Sequence, residues 1–226
     1  MSSFDFQLIF DFLRQLAANN NRPWFEQHRP FYEQARDEFA RFSQVFTDLV
    51  CSIDPSIGLV DPKACIYRIY RDVRFSPDKS PYKQHMCIFV APGGKNSRLP
   101  GYYFHVQPGH MNLFGAGQYC LSADDLRRLR SEISAFPEEL HGIISNPAFS
   151  SRLNLNDNER LKKLPRGFDI DPQYAELLKF KTLCSQTSFS DDDVVNPDFL
   201  NTLETCVRAA FPLNAFFRRA LDSEPC

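Results

Sequence analysis

The densest concentration of reactive side chains lies between Tyr67 and Lys83, in the stretch Y-R-I-Y-R-D-V-R-F-S-P-D-K-S-P-Y-K. It holds Arg68, Arg71, Arg74, Lys79 and Lys83 against only two acids, Asp72 and Asp78. A guanidinium group presents a planar fork that matches two oxygens of a carboxylate or phosphate, so convergent arginines point to an anion. On this reading Arg71 and Arg74 clamp a phosphorylated or otherwise anionic small molecule. Lys79 and Lys83 close over it from the loop, Tyr82 borders it, and Asp72 holds an arginine in place. Strand alternation places Arg68 on the opposite face from Arg71. Two other readings fit the same residues. The charges could brace the fold as a network of ion pairs in a non-catalytic scaffold. Alternatively, the interleaving with Tyr67, Tyr70, Phe75 and Tyr82 suits single-stranded nucleic acid, where rings stack on bases and cations follow phosphates.

Three histidines, His85, His105 and His110, fall close together, but they form neither H-E-x-x-H nor H-x-H. No metal site and no cofactor are therefore expected. His105 is a candidate general base with Asp72 as its orienter. A nucleophile motif of the G-x-S-x-G type is missing, and Gly93 to Ser97 lacks the spacing of a phosphate-binding loop. Whether the protein is an enzyme stays open at this level.

Composition narrows the alternatives. The chain has 226 residues, 43% of them hydrophobic and 24% charged, with a net charge of -2. This excludes disordered and fibrous classes, and 22 Phe against one Trp and three Met put Phe at the centre of the core. Charge is uneven: residues 1–60 carry a net -3, 61–113 a net +5 and 114–226 a net -4. A basic middle between acidic flanks fits an anion met locally. The sequence pI of about 6.2 and the lack of an RNP1 pattern make nucleic acid the second choice. The seven cysteines are scattered with no C-x-x-C pair, as expected for reduced thiols in a cytoplasmic protein. No apolar run is long enough to span a bilayer, so no membrane association is expected. Oligomeric state is not encoded in any motif.

The elements that must position these groups read as follows. Ile9, Phe12, Leu13 and Leu16 define an amphipathic helix over residues 6–18, with Asp5 as its cap. Pro23 opens a short turn of helix, and Pro30 starts or kinks a longer one reaching Val50. Strands are expected at Cys65 to Arg71, Met86 to Ala91, Tyr102 to Gln107 and Met111 to Ala116. The last two are joined by a tight link at Pro108-Gly109-His110. Ser122 caps a further helix, Asp171-Pro172 opens another through Lys179, and a strand follows over Lys181 to Phe189. Two helices, Asn196 to Ala210 and Pro212 to Leu221, end the pattern. The expected fold is a single α+β domain over residues 1–226, a mostly antiparallel sheet covered by N-terminal and C-terminal helices.

Six motifs occur in order: N-N-N-R-P-W-F-E from Asn19, the central I-Y-R-I-Y-R-D-V-R-F-S-P-D-K-S-P-Y-K from Ile66, and G-Y-Y-F-H-V-Q-P-G from Gly101. G-A-G-Q-Y from Gly115, L-K-K-L-P-R-G-F from Leu161 and L-L-K-F-K from Leu177 follow. Together they resemble a family of mainly bacterial and fungal proteins catalogued as a domain of unknown function, number 2461, over about Phe6 to Leu221. The resemblance implies a single domain and carries no activity. Its matching positions add Arg130, Lys162, Arg166 and Lys181 to the central cations. The expected binding set is therefore Arg68, Arg71, Arg74, Lys79, Tyr82, Lys83, Arg130, Arg166 and Lys181.

Overall fold

The computed structural model describes residues 4–119, 121–156 and 160–222. Helix α1 spans Phe6–Ala18, and the Asp5 carboxylate accepts from the Leu8 amide as its cap. The short α2 covers Arg22–Gln27, capped by Asn21 with Pro23 in its first turn. Pro30 likewise sits in the first turn of α3, Arg29–Ile53. A turn of 3-10 helix at Pro55–Ile57 and the four-residue α4, Pro62–Cys65, lead into the basic segment.

Five strands form one antiparallel sheet in the order β1-β2-β3-β5-β4. They are β1 Met86–Val90, β2 Gly101–Val106, β3 Asn112–Gln118, β4 Asn154–Leu155 and β5 Leu183–Phe189. Between β3 and β5 come α5 (Ala123–Ala135, capped by Ser122), α6 (Pro137–Ser145) and α7 (Pro147–Ser150). The segment Pro172–Lys179, expected as helix, is a 3-10 helix with Asp171 as its cap. The capping box of Ser190 and Asp193 starts α8, Asp191–Val195, and α9 runs from Phe199 to Asp222.

Strand alternation sorts the sheet into two faces. Tyr102, Phe104 and Val106 of β2 are fully buried beneath the helices, whereas Tyr103 and His105 are only partly so. Phe104 meets Phe42 of α3 at 5.2 Å and Phe199 of α9 at 5.6 Å between ring centroids, so the predicted Phe core stands at this helix-to-sheet junction. Edge-on and tilted ring contacts of this kind add to the burial of apolar area, the main stabilising term.

Two sequence expectations need correction. Cys65 to Arg71 is not a strand. The chain touches the sheet at a single bridge, Ile66 to Ile88, then doubles back so that Arg71 N–H donates to the Pro81 carbonyl and Lys83 N–H to Ile69. Pro77 and Pro81 lack a ladder donor, and the carboxylates of Asp72 and Asp78 capture the amides of Arg74 and Ser80, which competes with strand pairing. The second correction concerns the C-terminus, where Pro212 lies inside one continuous helix rather than between two. Pro212 and Arg208 are both exposed, so the Arg208 carbonyl that loses its N–H partner can be hydrated, while Val207, Ala210, Leu213 and Phe217 carry the buried stripe across the proline.

Two polar knots fix this arrangement. Asp54, fully buried at the end of α3, accepts from Arg218 of α9 at 3.0 and 3.2 Å and from the Tyr102 hydroxyl at 2.9 Å. Burial pushes the Asp54 carboxyl up, but the Arg218, Ser56 and Tyr102 hydrogen bonds outweigh it and hold the group below its usual range. The second knot is Asp191, which accepts from the amides of Gly109 and His110 and from the Asn112 side chain, each at 3.0 Å, and from Arg14 of α1 at 3.1 Å. It holds His110 at φ 61° in the β2–β3 turn.

Removing one member of a buried pair strands the other. Arg218→Ala is expected to cost about 3–5 kcal/mol in urea unfolding. Arg219→Ala, which breaks exposed contacts to Glu132 and Glu139, should cost about 1 kcal/mol or less.

Candidate functional site

The central basic loop satisfies many of its own charges. Arg71 pairs with Asp78 and also donates to the Ser80 carbonyl, and Arg74 pairs with Asp72 at 2.6 Å. The Arg74 hydrogen bonds lower the Asp72 carboxyl to about 2, and those from Ser80 and Arg71 hold Asp78 well below the usual range. Lys79 folds back to donate from Nζ to the Val73 carbonyl at 3.0 Å, and the Lys83 ammonium stands 5.2 Å from the centre of the Tyr67 ring. Tyr82 is buried, its ring stacked on Phe25 at 4.0 Å, and it belongs to the core beneath the loop. Arg68, Arg74 and Phe75 are exposed, Phe75 at 94%.

A second group of the expected residues meets elsewhere. The segment after Arg160 pairs with the end of the 3-10 helix through the Arg160–Phe180 bridge and the Leu161 N–H to Lys179 carbonyl bond. This places Arg166 beside α5. There Arg130 donates from Nε to the Leu178 carbonyl and from Nη2 to Phe180, each at 3.0 Å. Arg127, one helical turn earlier, joins Arg130 and Arg166 around a groove of about 600 Å3 that also includes Ser131, Ser134 and Asp169. None of the three guanidinium groups has a carboxylate partner within ion-pair distance among the described residues. The structure therefore divides the expected binding set. Arg130 and Arg166 share this groove, the residues from Arg68 to Lys83 lie outside it, and the exposed Lys181 does not line it. Arg127 was missed by sequence reasoning, although the R-R-L-R run on a helix places it one turn from Arg130.

The outer face of the sheet carries a cleft of about 470 Å3, bordered by Tyr67, Phe89, Lys95, Tyr103, His105, Leu113 and Tyr119, with Gln118 and Gln186. His105 is not oriented by Asp72. Its Nε2 donates to the Met111 carbonyl at 2.7 Å, which leaves Nδ1 to accept from the Tyr103 hydroxyl at 3.0 Å. Asp72 is tied to Arg74 instead. Burial pushes His105 down and Tyr103 far up, so this pair is uncharged at neutral pH. The floor is bare backbone: Gly101 and Gly117 are cross-strand partners, and a Cβ on either would lie 2.4 Å from a neighbouring strand's carbonyl oxygen. His85 packs on His105 at 5.2 Å, and His110 accepts from the Asp191 amide through Nδ1. Among the described residues, no group of three or more His, Cys, Asp or Glu is arranged to hold a metal ion. No described helix is long and apolar enough to cross a membrane.

The chain belongs to the family described as a conserved hypothetical protein (DUF2461), whose model matches residues 8–216. No curated protein and no solved structure matches it.

The histidines make a pH test possible. Burial, with His105 and Lys83 adding, lowers His85 to about 4. The unfolded chain then binds more protons than the native one below about pH 6.5, so stability falls with pH through that window and levels off near pH 4. Unfolding followed from pH 7 to 4 should show this slope, and His85→Gln should remove about 2 kcal/mol of it, allowing for partial exposure.

Proposed function

We propose that the protein binds a small anionic molecule, phosphorylated or carboxylated, in the groove formed by Arg127, Arg130 and Arg166. The observation that carries this reading is three arginines lining one groove without a carboxylate partner among the described residues. Like charges one helical turn apart repel. An anion would relieve that repulsion by accepting from the guanidinium groups around it. Arg130 is held by its two carbonyl partners and supplies a fixed cation, whereas Arg127 and Arg166 are exposed and free to close on the ligand. Turnover is not part of the proposal. The setting we favour is cytoplasmic, in keeping with free thiols at Cys51, Cys65, Cys87, Cys184 and Cys206.

A second reading rests on Phe75. This ring is exposed beside Arg74, as a base-stacking platform for single-stranded nucleic acid would be.

Low-salt calorimetric titration with inorganic phosphate, nucleotides, sugar phosphates and dicarboxylates tests the first reading. At least one anion class should bind, and the Arg127→Ala/Arg166→Ala double variant should weaken it by roughly tenfold or more with little change in melting temperature. Unchanged binding in that variant would sink the groove. The second reading requires oligonucleotide binding that falls steeply with salt and is lost in Phe75→Ala.

A further inference from the structure

The cleft on the outer face of the sheet lies apart from the arginine groove and shares no lining residue with it. Its shape follows from the sheet itself. The backbones of β1, β2, β3 and β5 approach so closely at Gly101 and Gly117 that no side chain fits there. Together with Gly115 they leave a stretch of floor that carries no side chain of its own, with the Phe89 ring standing against Gly101. Aromatic and aliphatic side chains, Tyr67, Phe89, Leu113 and Tyr119, stand at its sides. A volume of about 470 Å3 is within the range of small-molecule sites.

The polar groups in the cleft are few and uncharged in character. The Tyr103 hydroxyl donates to His105 Nδ1 and accepts from the Cys87 thiol, which leaves its oxygen a remaining lone pair for a ligand donor. Met111 fixes the tautomer that makes this possible. Gln118, little exposed overall, and the half-buried Gln186 line the cleft without a protein hydrogen-bond partner for their carboxamides among the described residues. Their amide atoms are open to the cleft and so are available to pair with a ligand. Lys95 is the one cation in the lining, and its ammonium donates to the Ala64 carbonyl at 2.9 Å.

We propose that this cleft is a binding site for an uncharged planar ring compound carrying an amide or hydroxyl group, which lies on the glycine floor and is met by Tyr103, Gln118 and Gln186. A flat ring matches a floor without side chains of its own, flanked by aromatic walls. A neutral donor and acceptor match a phenol oxygen and two carboxamides without placing an unpaired charge in a partly dry site.

The test uses benzamide, phenol, toluene and benzoate as probes on the full chain, followed by amide chemical shifts in nuclear magnetic resonance. Benzamide and phenol should move the amides of Gly101, Gly115 and Gly117 in a saturable way, and more tightly than toluene or benzoate. At Gly115, which has an ordinary φ, a Cβ meets the Ser185 carbonyl oxygen at 3.4 Å and the Leu113 and Tyr103 side chains at 3.7 and 3.9 Å, so Gly115→Val fills the cleft from below. It should weaken benzamide by roughly tenfold or more, as occlusion of a pocket requires. Tyr103→Phe keeps the shape and removes the acceptor; the preference for phenol over toluene should shrink roughly three- to tenfold. If Gly115→Val fails to fold, Tyr103→Phe alone decides. The proposal is overturned if no probe moves these glycines, if benzoate binds best, or if both variants bind as the parent does. Phosphate titration of the same samples reads the arginine groove separately, so failure at one site leaves the other standing.

Discussion

Asp54 has no exposed surface, yet its carboxylate is charged, and the rest of the fold is arranged around that fact. An ion in the interior is tolerable only when fully surrounded by donors. Those donors come from three places: Arg218 near the chain's end, Tyr102 in β2 and Ser56 just beyond α3. Arg218 also reaches the Pro100 carbonyl, and Asn214, one turn earlier on α9, reaches Gly101. The same contacts therefore set how α3 and α9 lie on the sheet and where β2 begins. Gly101, the first residue of β2, is both an anchor point of this buried network and part of the outer floor. The core and the cleft are two faces of one strand.

The arginines illustrate how one side-chain type takes different roles according to its neighbours. In the central loop, Asp72 and Asp78 are two to seven residues from Arg74 and Arg71, and the loop folds so that each pair meets. Those pairs are exposed, so their contribution is to loop geometry more than to stability. On α5 neither Arg127 nor Arg130 has such a partner among the described residues, and Asp169, in the same groove, lies outside ion-pair distance of both. Density of charge along the chain pointed to the first set, whereas lack of compensation in space distinguishes the second.

Much of the architecture was legible in the sequence because it is local. Asp5, Ser122 and Asp171 announce their segments, the period of Ile9 to Leu16 marks α1 to the residue, and Pro108-Gly109-His110 marks the β2–β3 turn. What failed was also local but in conflict: the β-forming residues of Cys65 to Arg71 compete with Asx turns and prolines directly downstream. Pro212 reads as a break unless the solvent face of the helix is known. Long-range pairings were out of reach. Nothing near Asp54 signals a partner 164 residues away, and nothing near His105 indicates that a main-chain carbonyl, not Asp72, orients its ring. Of the candidate site, Arg130 and Arg166 were identified through family resemblance, while their sharing of one groove with Arg127 depends on the fold.

Asp191 also bears on the order in which the molecule is assembled. The β2–β3 hairpin can close within microseconds once its own residues exist. Its turn, however, holds His110 in a left-handed conformation unfavourable for a residue with a Cβ, and the carboxylate that secures those amides is 81 residues further along the chain. During synthesis from the N-terminus, the turn therefore lacks this anchor until β5 and the start of α8 have emerged. Arg14 waits for the same carboxylate, so the first helix and the turn become fixed together by a residue made much later than either.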